Sequence, residues 1–107
     1  MVYLLSSLIG IASWYGPELE GRPTASGEPF DPSALTAASW HHPLGTRVEV
    51  VNVSTGQSVE VTINDRGPAR RLGRLIDLSQ GSFARIADLD QGLVRVEVRV
   101  LEDDDSS

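Results

Sequence analysis

The chain of 107 residues contains no cysteine and no lysine. Without cysteine there is no disulfide framework, no thiolate zinc site, no cysteine nucleophile and no lipidated N-terminal Cys, so a hydrophobic core alone must hold the fold. The nine basic residues, all arginine, stand against fifteen acidic ones, for a net charge of −6. Affinity for a polyanion rests on neutralising its phosphates, so this balance argues against nucleic acid as a partner. Long apolar runs are also missing. Residues 1–11 are apolar, but a bilayer span needs about 20 residues, so no membrane span is expected. That stretch also lacks the basic region and small-residue cleavage site of a complete signal peptide, leaving a trimmed signal or an N-terminal strand as its readings. Glu102, Asp103, Asp104 and Asp105 supply four of the negative charges, and without them the body carries −2. They read as a solvated end.

With 40% hydrophobic and 22% charged residues, the composition is that of an ordinary globular protein, and the length suits one domain. Alternation with a period of two dominates. Val94, Val96, Val98 and Val100 interleave with Arg95, Glu97 and Arg99, and Val59, Val61 and Ile63 with Glu60 and Thr62, each predicting a strand with one buried face. Residues 47–53 form a β-branched run joined to the next strand by Ser54-Thr55-Gly56, the pattern of a hairpin. Further strands are predicted over residues 10–15 and 75–78. Asp31 followed by Pro32 predicts a short helix over residues 33–38, and Ser79 opens a second over residues 80–87. Asp77 reads as a structural cap at the start of that second helix. Arg47-Val48-Glu49-Val50 recurs as Arg95-Val96-Glu97-Val98, each preceded by a Gly-containing turn. A closed barrel of two similar halves would account for this repeat and would leave no strand edge exposed. The expected divisions are an N-terminal extension over residues 1–9, a barrel over 10–101 and an acidic tail over 102–107.

Chemistry-bearing residues gather in three segments: residues 21–28, 36–46 and 64–68. Asp65, at a strand end between Asn64 and Arg66-Gly67-Pro68, is either a turn-capping carboxylate or one presented to a ligand by a rigid scaffold. No P-loop, dinucleotide fingerprint or zinc-ligand spacing is present, so neither cofactor nor metal is expected.

Ala12-Ser13-Trp14-Tyr15-Gly16, Gly21-Arg22-x-Thr24-Ala25-Ser26-Gly27-Glu28, Leu35-Thr36-Ala37-Ala38, Pro43-Leu44-Gly45-Thr46-Arg47-Val48, Asn64-Asp65-Arg66-Gly67-Pro68 and Arg74-Leu75-Ile76-Asp77-Leu78-Ser79 follow one another in order. Together they resemble the rare lipoprotein A (RlpA-like) domain, over residues 10–101. The resemblance implies a mainly β fold: a six-stranded double-psi β-barrel with two short helices and internal pseudo-two-fold symmetry, related to endoglucanase-like and expansin-like barrels. It also implies lytic transglycosylation of peptidoglycan, cutting between N-acetylmuramic acid and N-acetylglucosamine without water to leave a 1,6-anhydromuramyl end. By position Asp65 matches the family's active-site aspartate, as general acid and base, and Glu28 its glutamate, as the second carboxylate; the two roles can be exchanged.

The family usually places His directly after Thr-Ala-Ala. Here Ser39 stands there, and the histidines come later, as His41 and His42. An active site then requires one of these imidazoles to fold back towards Asp65. The alternative is a non-catalytic, expansin-like polysaccharide-binding barrel, with a protein-binding partner or inhibitor as a third reading. Trp14, Tyr15 and Trp40 are candidates for stacking on sugar rings, with Arg66, Thr24 and Ser26 as further substrate contacts. Arg66, Arg70, Arg71 and Arg74 make a local cationic patch that suits the carboxylates of stem peptides. The implied partner is a peptidoglycan strand or related polysaccharide, the implied location the bacterial envelope or the exterior, and the expected state a monomer.

Overall fold

A computed structural model describes residues 7–101 of the chain, Arg70 by its backbone alone. The first six residues of the apolar stretch and the acidic tail lie outside the described residues. The strands are β1 (Ser7–Tyr15), β2 (Thr36–Ala38), β3 (Arg47–Asn52), β4 (Ser58–Asp65), β5 (Ile76–Ser79) and β6 (Val94–Val100). They close into a barrel in the order β1-β5-β2-β4-β3-β6. β1 starts at Ser7, so the strand reaches back into the stretch expected to be an extension.

The alternation read from the sequence sorts the side chains. Val48 and Val50 of β3, Val59, Val61 and Ile63 of β4, and Val94, Val96 and Val98 of β6 point inward and are buried. They meet Ala12, Ala37, Ile76, Leu78, Phe83 and Ile86 in one core. Each fully buried aliphatic side chain contributes about 1.5–3 kcal/mol, which is how the fold stands without a crosslink. Val100 departs from its row and is exposed at the end of β6.

The repeated tetrapeptide lies on β3 and β6, which pair antiparallel with each other, and Val50 faces its repeat equivalent Val98. β1 pairs parallel with β5 as β4 does with β2, and β1 pairs antiparallel with β6 as β4 does with β3. The halves β1–β3 and β4–β6 therefore carry the same pairings, as a two-fold barrel requires. β5 separates β1 from β2, and β2 separates β4 from β5, so residues 16–35 and residues 66–75 each cross one strand.

One helix expected from the sequence is absent. Asp31 does reverse the chain, its Oδ1 accepting from the backbone N–H and the hydroxyl of Ser33 at 2.9 Å. The segment then enters β2 instead of continuing as a helix. Six residues are too few for a stable isolated helix, whereas as a strand the last three, Thr36–Ala38, pair with β4 on one side and β5 on the other. The second helix, α1 (Gln80–Ala84), forms where predicted but is shorter; Ser79 is its N-cap, accepting from the Ser82 N–H. Gly81 lets α1 press onto the Asp31 turn, since a Cβ there would stand 2.9 Å from the Ser33 carbonyl oxygen.

Candidate functional site

β2 and β4 pair in register up to Ala37 and Ile63, after which Ala38 faces Asp65 and Asn64 is the extra residue. Such a bulge re-aims the side chains that follow it. Strict alternation would send Asp65 inward after Ile63; the bulge turns it outward beside Ala38. On the other side of Ala38 stands Asp77 of β5, and Asp77 in turn faces Ser13 of β1. Asp65, Ala38, Asp77 and Ser13 thus form one row across four neighbouring strands. The backbones of the two aspartates are two strand spacings apart, about 10 Å.

The long crossing closes over this row. Asp65 Oδ1 accepts the backbone N–H groups of Ala25 and Arg66, both at 2.9 Å. Ser26 N–H donates to the Asn64 carbonyl at 3.1 Å, which pins the Thr-Ala-Ser-Gly-Glu turn to the end of β4. Inside the turn, the Thr24 hydroxyl donates to the Glu28 carbonyl and lies 2.9 Å from the Ser26 hydroxyl. Gly27, at φ +96°, supplies the left-handed corner. Glu28 is exposed at the rim, with Oε1 3.4 Å from the Ser26 hydroxyl. The side chains of Thr24 and Ser26 therefore hold the turn, and Glu28 projects from it.

Asp65 opens onto a cavity of about 290 Å³ walled by Tyr15, Leu19, Pro23 and Phe30, with Arg22 and Thr24. The Tyr15 ring stacks on Phe30 with centroids 4.5 Å apart. Its hydroxyl is buried with no hydrogen-bond partner among the described residues. Burial first, then the carboxylates of Asp65 and Asp77, push the Tyr15 phenol upward and keep it protonated.

Asp77 is not the helix cap that the sequence suggested, because Ser79 takes that role. Asp77 instead accepts from the Ser13 hydroxyl at 2.9 Å. Burial raises its pKa; the Ser13 hydrogen bond and the nearby Arg74 work against that rise, and Asp65 adds to it. Sequence reading missed this residue as a member of the site. The signal was the shared register of Ser13 and Asp77, which no pattern within one strand reveals.

The histidines lie elsewhere. Ser39 is buried, and its backbone N–H continues the β2–β4 pairing by donating to the Asp65 carbonyl at 3.0 Å. Its hydroxyl accepts from His41 N–H and lies 3.0 Å from His42 Nδ1. His42 is buried there, and burial, with His41 adding, lowers its pKa. His41 is exposed in a larger groove of about 560 Å³ with Trp40 and Arg74. Neither histidine lines the cavity of Asp65. Arg66 ties this loop down, donating to the carbonyls of Ser39 and His42 at 2.6 and 2.7 Å. Trp14 packs inward, tilted against Phe83, and its indole N–H donates to the Leu89 carbonyl at 3.1 Å. Trp40 remains 43% exposed, although its indole N–H donates to the Pro68 carbonyl. Of the three aromatic candidates, Tyr15 alone lines the Asp65 cavity and Trp40 lines the neighbouring groove. Among the described residues no group of three or more His, Asp or Glu is placed to hold a metal ion, and no helix is long and apolar enough to cross a membrane.

Residues 7–98 match the sequence pattern of a family described as lytic transglycolase. A probable endolytic peptidoglycan transglycosylase RlpA of Synechocystis is 52% identical over 93 residues, covering 87% of this chain and 29% of that protein. The endolytic peptidoglycan transglycosylase RlpA of Campylobacter jejuni is 41% identical over 92 residues, covering 86% and 33%. The chain thus spans a third or less of these relatives. Among solved structures, a Streptomyces papain inhibitor superposes with a TM-score of 0.73 at 28% identity, covering 91% of this chain and 96% of the inhibitor. An expansin of Clavibacter michiganensis superposes with the same TM-score at 21% identity, covering 92% and 52%, a likeness of fold alone.

Proposed function

Because the chain belongs to the lytic transglycolase family of double-psi β-barrels, we propose that it cleaves peptidoglycan glycan strands between N-acetylmuramic acid and N-acetylglucosamine, with Asp65 as acid and then base. The observation that carries this reading is the binding of Asp65. Its Oδ1 is occupied by two backbone N–H groups, and Oδ2 has no hydrogen bond among the described residues. The carboxyl is fixed in orientation, and one oxygen is left to hold a transferable proton.

In the first step Asp65 Oδ2 gives its proton to the glycosidic oxygen. The C1–O bond breaks, its electron pair stays with the departing N-acetylglucosamine, and positive charge develops at C1 of the muramyl sugar. In the second step the O6 hydroxyl of that sugar attacks C1, and its proton returns to Asp65. The products are a 1,6-anhydromuramyl end and a free 4-hydroxyl; no water is consumed and the acid is regenerated. Glu28, at the rim of the same turn, is the carboxylate assigned to the developing charge. The phenol of Tyr15, pushed up by burial and by the neighbouring carboxylates, stays protonated in the wall beside Asp65. A chain with this activity acts in the bacterial envelope or outside the cell, where its substrate is.

A second reading, binding without cleavage, draws on the histidines: neither imidazole lines the Asp65 cavity. The likeness to a papain inhibitor keeps a protein-binding role as a third. Incubation with isolated glycan strands, followed by mass spectrometry, separates them. Wild type is expected to yield 1,6-anhydro ends and Asp65→Asn none. Retention of glycan without any anhydro product would favour the binding module and overturn the enzyme reading.

A further inference from the structure

The cavity that receives Asp65 also holds an arginine that makes no ion pair among the described residues. Arg22 lines it, is exposed, and makes neither an ion pair nor a side-chain hydrogen bond among the described residues. Of the other arginines, Arg47 and Arg99 are paired with glutamates, Arg66 is spent on carbonyls, Arg74 acts on Asp77, and Arg71, Arg85 and Arg95 do not line the Asp65 cavity. Arg22 is also rooted in rigid backbone. Its N–H donates to the Leu19 carbonyl at 3.0 Å, its carbonyl accepts from Phe30 N–H at 2.8 Å, and the adjacent Pro23 bridges to Pro29. Beside the guanidinium lies an apolar wall of Leu19, Pro23 and Phe30.

The two sugars of peptidoglycan share ring, acetamido group and linkage. They differ only in the 3-O-lactyl ether of N-acetylmuramic acid, which brings one methyl group and one carboxyl group, a free carboxylate on strands stripped of stem peptides and an amide where the peptide is attached. An enzyme that cuts one of the two alternating linkages must therefore read that ether. We propose that the Asp65 cavity is the subsite for the lactyl group, with Arg22 binding its carboxylate and Leu19, Pro23 and Phe30 receiving its methyl. This rests on the reading above and adds the source of its bond selectivity: seating the muramyl sugar beside Asp65 puts its own C1–O bond, and not that of the next sugar, within reach of the acid. In its acid form Asp65 carries no charge to repel the lactyl carboxylate.

The test is an NMR titration of the isotope-labelled chain with two disaccharides, N-acetylmuramyl-β-1,4-N-acetylglucosamine and diacetylchitobiose, which differ only in the lactyl ether. A charge-assisted contact of this type predicts binding of the muramyl disaccharide about tenfold tighter or more, with the largest shifts within residues 19–30. Arg22→Gln is expected to bring its affinity down to that of chitobiose while leaving chitobiose unchanged, and Arg22→Lys to keep part of the preference. Equal affinity of wild type for the two sugars, no binding of either, or a preference that survives Arg22→Gln would overturn the proposal. The titration does not depend on turnover. A preference in a chain that yields no anhydro ends would leave the subsite standing and the catalytic reading fallen; cleavage without a preference would do the reverse.

Discussion

The two halves of the barrel use the same strand pairings and spend their connections differently. After β5 the chain folds into α1, with Ser79 as cap and Phe83 driven into the core. After β2, at the equivalent place, residues 39–46 make a loop in which buried Ser39 holds His42 and Arg66 clamps the carbonyls. The crossings diverge too: residues 16–35 build a cavity wall, while the shorter crossing, residues 66–75, closes beside it. Symmetric strands supply a rigid frame, and the asymmetry of what joins them makes one face a site.

If the connections of the second half carry the packing and those of the first serve the site, the largest effect should come from the helix. Phe83→Ala is expected to cost about 3–5 kcal/mol by leaving a cavity at the core, read from the urea midpoint. The two buried serines sharpen the contrast. Ser39→Ala should cost about 1–3 kcal/mol, because it leaves His42 Nδ1 and the His41 N–H without their partner. Ser79→Ala should cost about 1–3 kcal/mol, because it removes the N-cap and also leaves the Ala34 carbonyl and the Ser82 hydroxyl without their partner. If the first half's connections serve the site, Ser39→Ala should also slow anhydro-end formation beyond what its stability loss explains, and Ser79→Ala should not.

The buried titratable groups give opposite slopes. The pKa of His42 is lowered by folding, so the unfolded chain binds the extra proton first, and stability should fall as pH drops below about 6.5. The pKa of Asp77 is raised, so the folded chain keeps its proton longer, and stability should fall as pH rises from about 3.9 through the raised folded value. Denaturation curves across this range should lose the acid-side slope in His42→Gln and the other slope in Asp77→Asn, the latter being more stable than wild type at pH 7. The smallest effect belongs to the surface. Arg47 and Glu60 pair at 2.8 Å with both side chains more than half exposed, so Arg47→Gln should shift stability by about 0.5 kcal/mol or less.

Much of the frame was legible in the sequence. The valine rows of β3, β4 and β6, the hairpin at Ser54-Thr55-Gly56 and the cap at Ser79 all stand where the pattern put them. The stretch after Asp31 did not, because a local cap signal competes with pairing partners far away in sequence, and tertiary pairing decides so short a segment. The site was legible as residue types but not as an arrangement. That Asp65 faces outward depends on a one-residue bulge at Asn64, and that Asp77 joins it depends on the register of β5 with both neighbours. Neither is a property of a single strand. The histidines show the same limit from the other side: spacing allowed either to reach Asp65, and the hydroxyl of Ser39 retained His42 instead.

The pairing of β1 with β6 has a consequence for the order in which the chain can be written. Ser7 lies opposite Arg99 on neighbouring antiparallel strands, while the hairpin around Gly56 joins the two halves away from the Asp65 cavity. A circular permutant that links β6 to β1 through a short tether and opens at Thr55-Gly56 would keep every strand pairing, exchange the order of the two halves, and leave Asp65, Ala38 and Asp77 side by side.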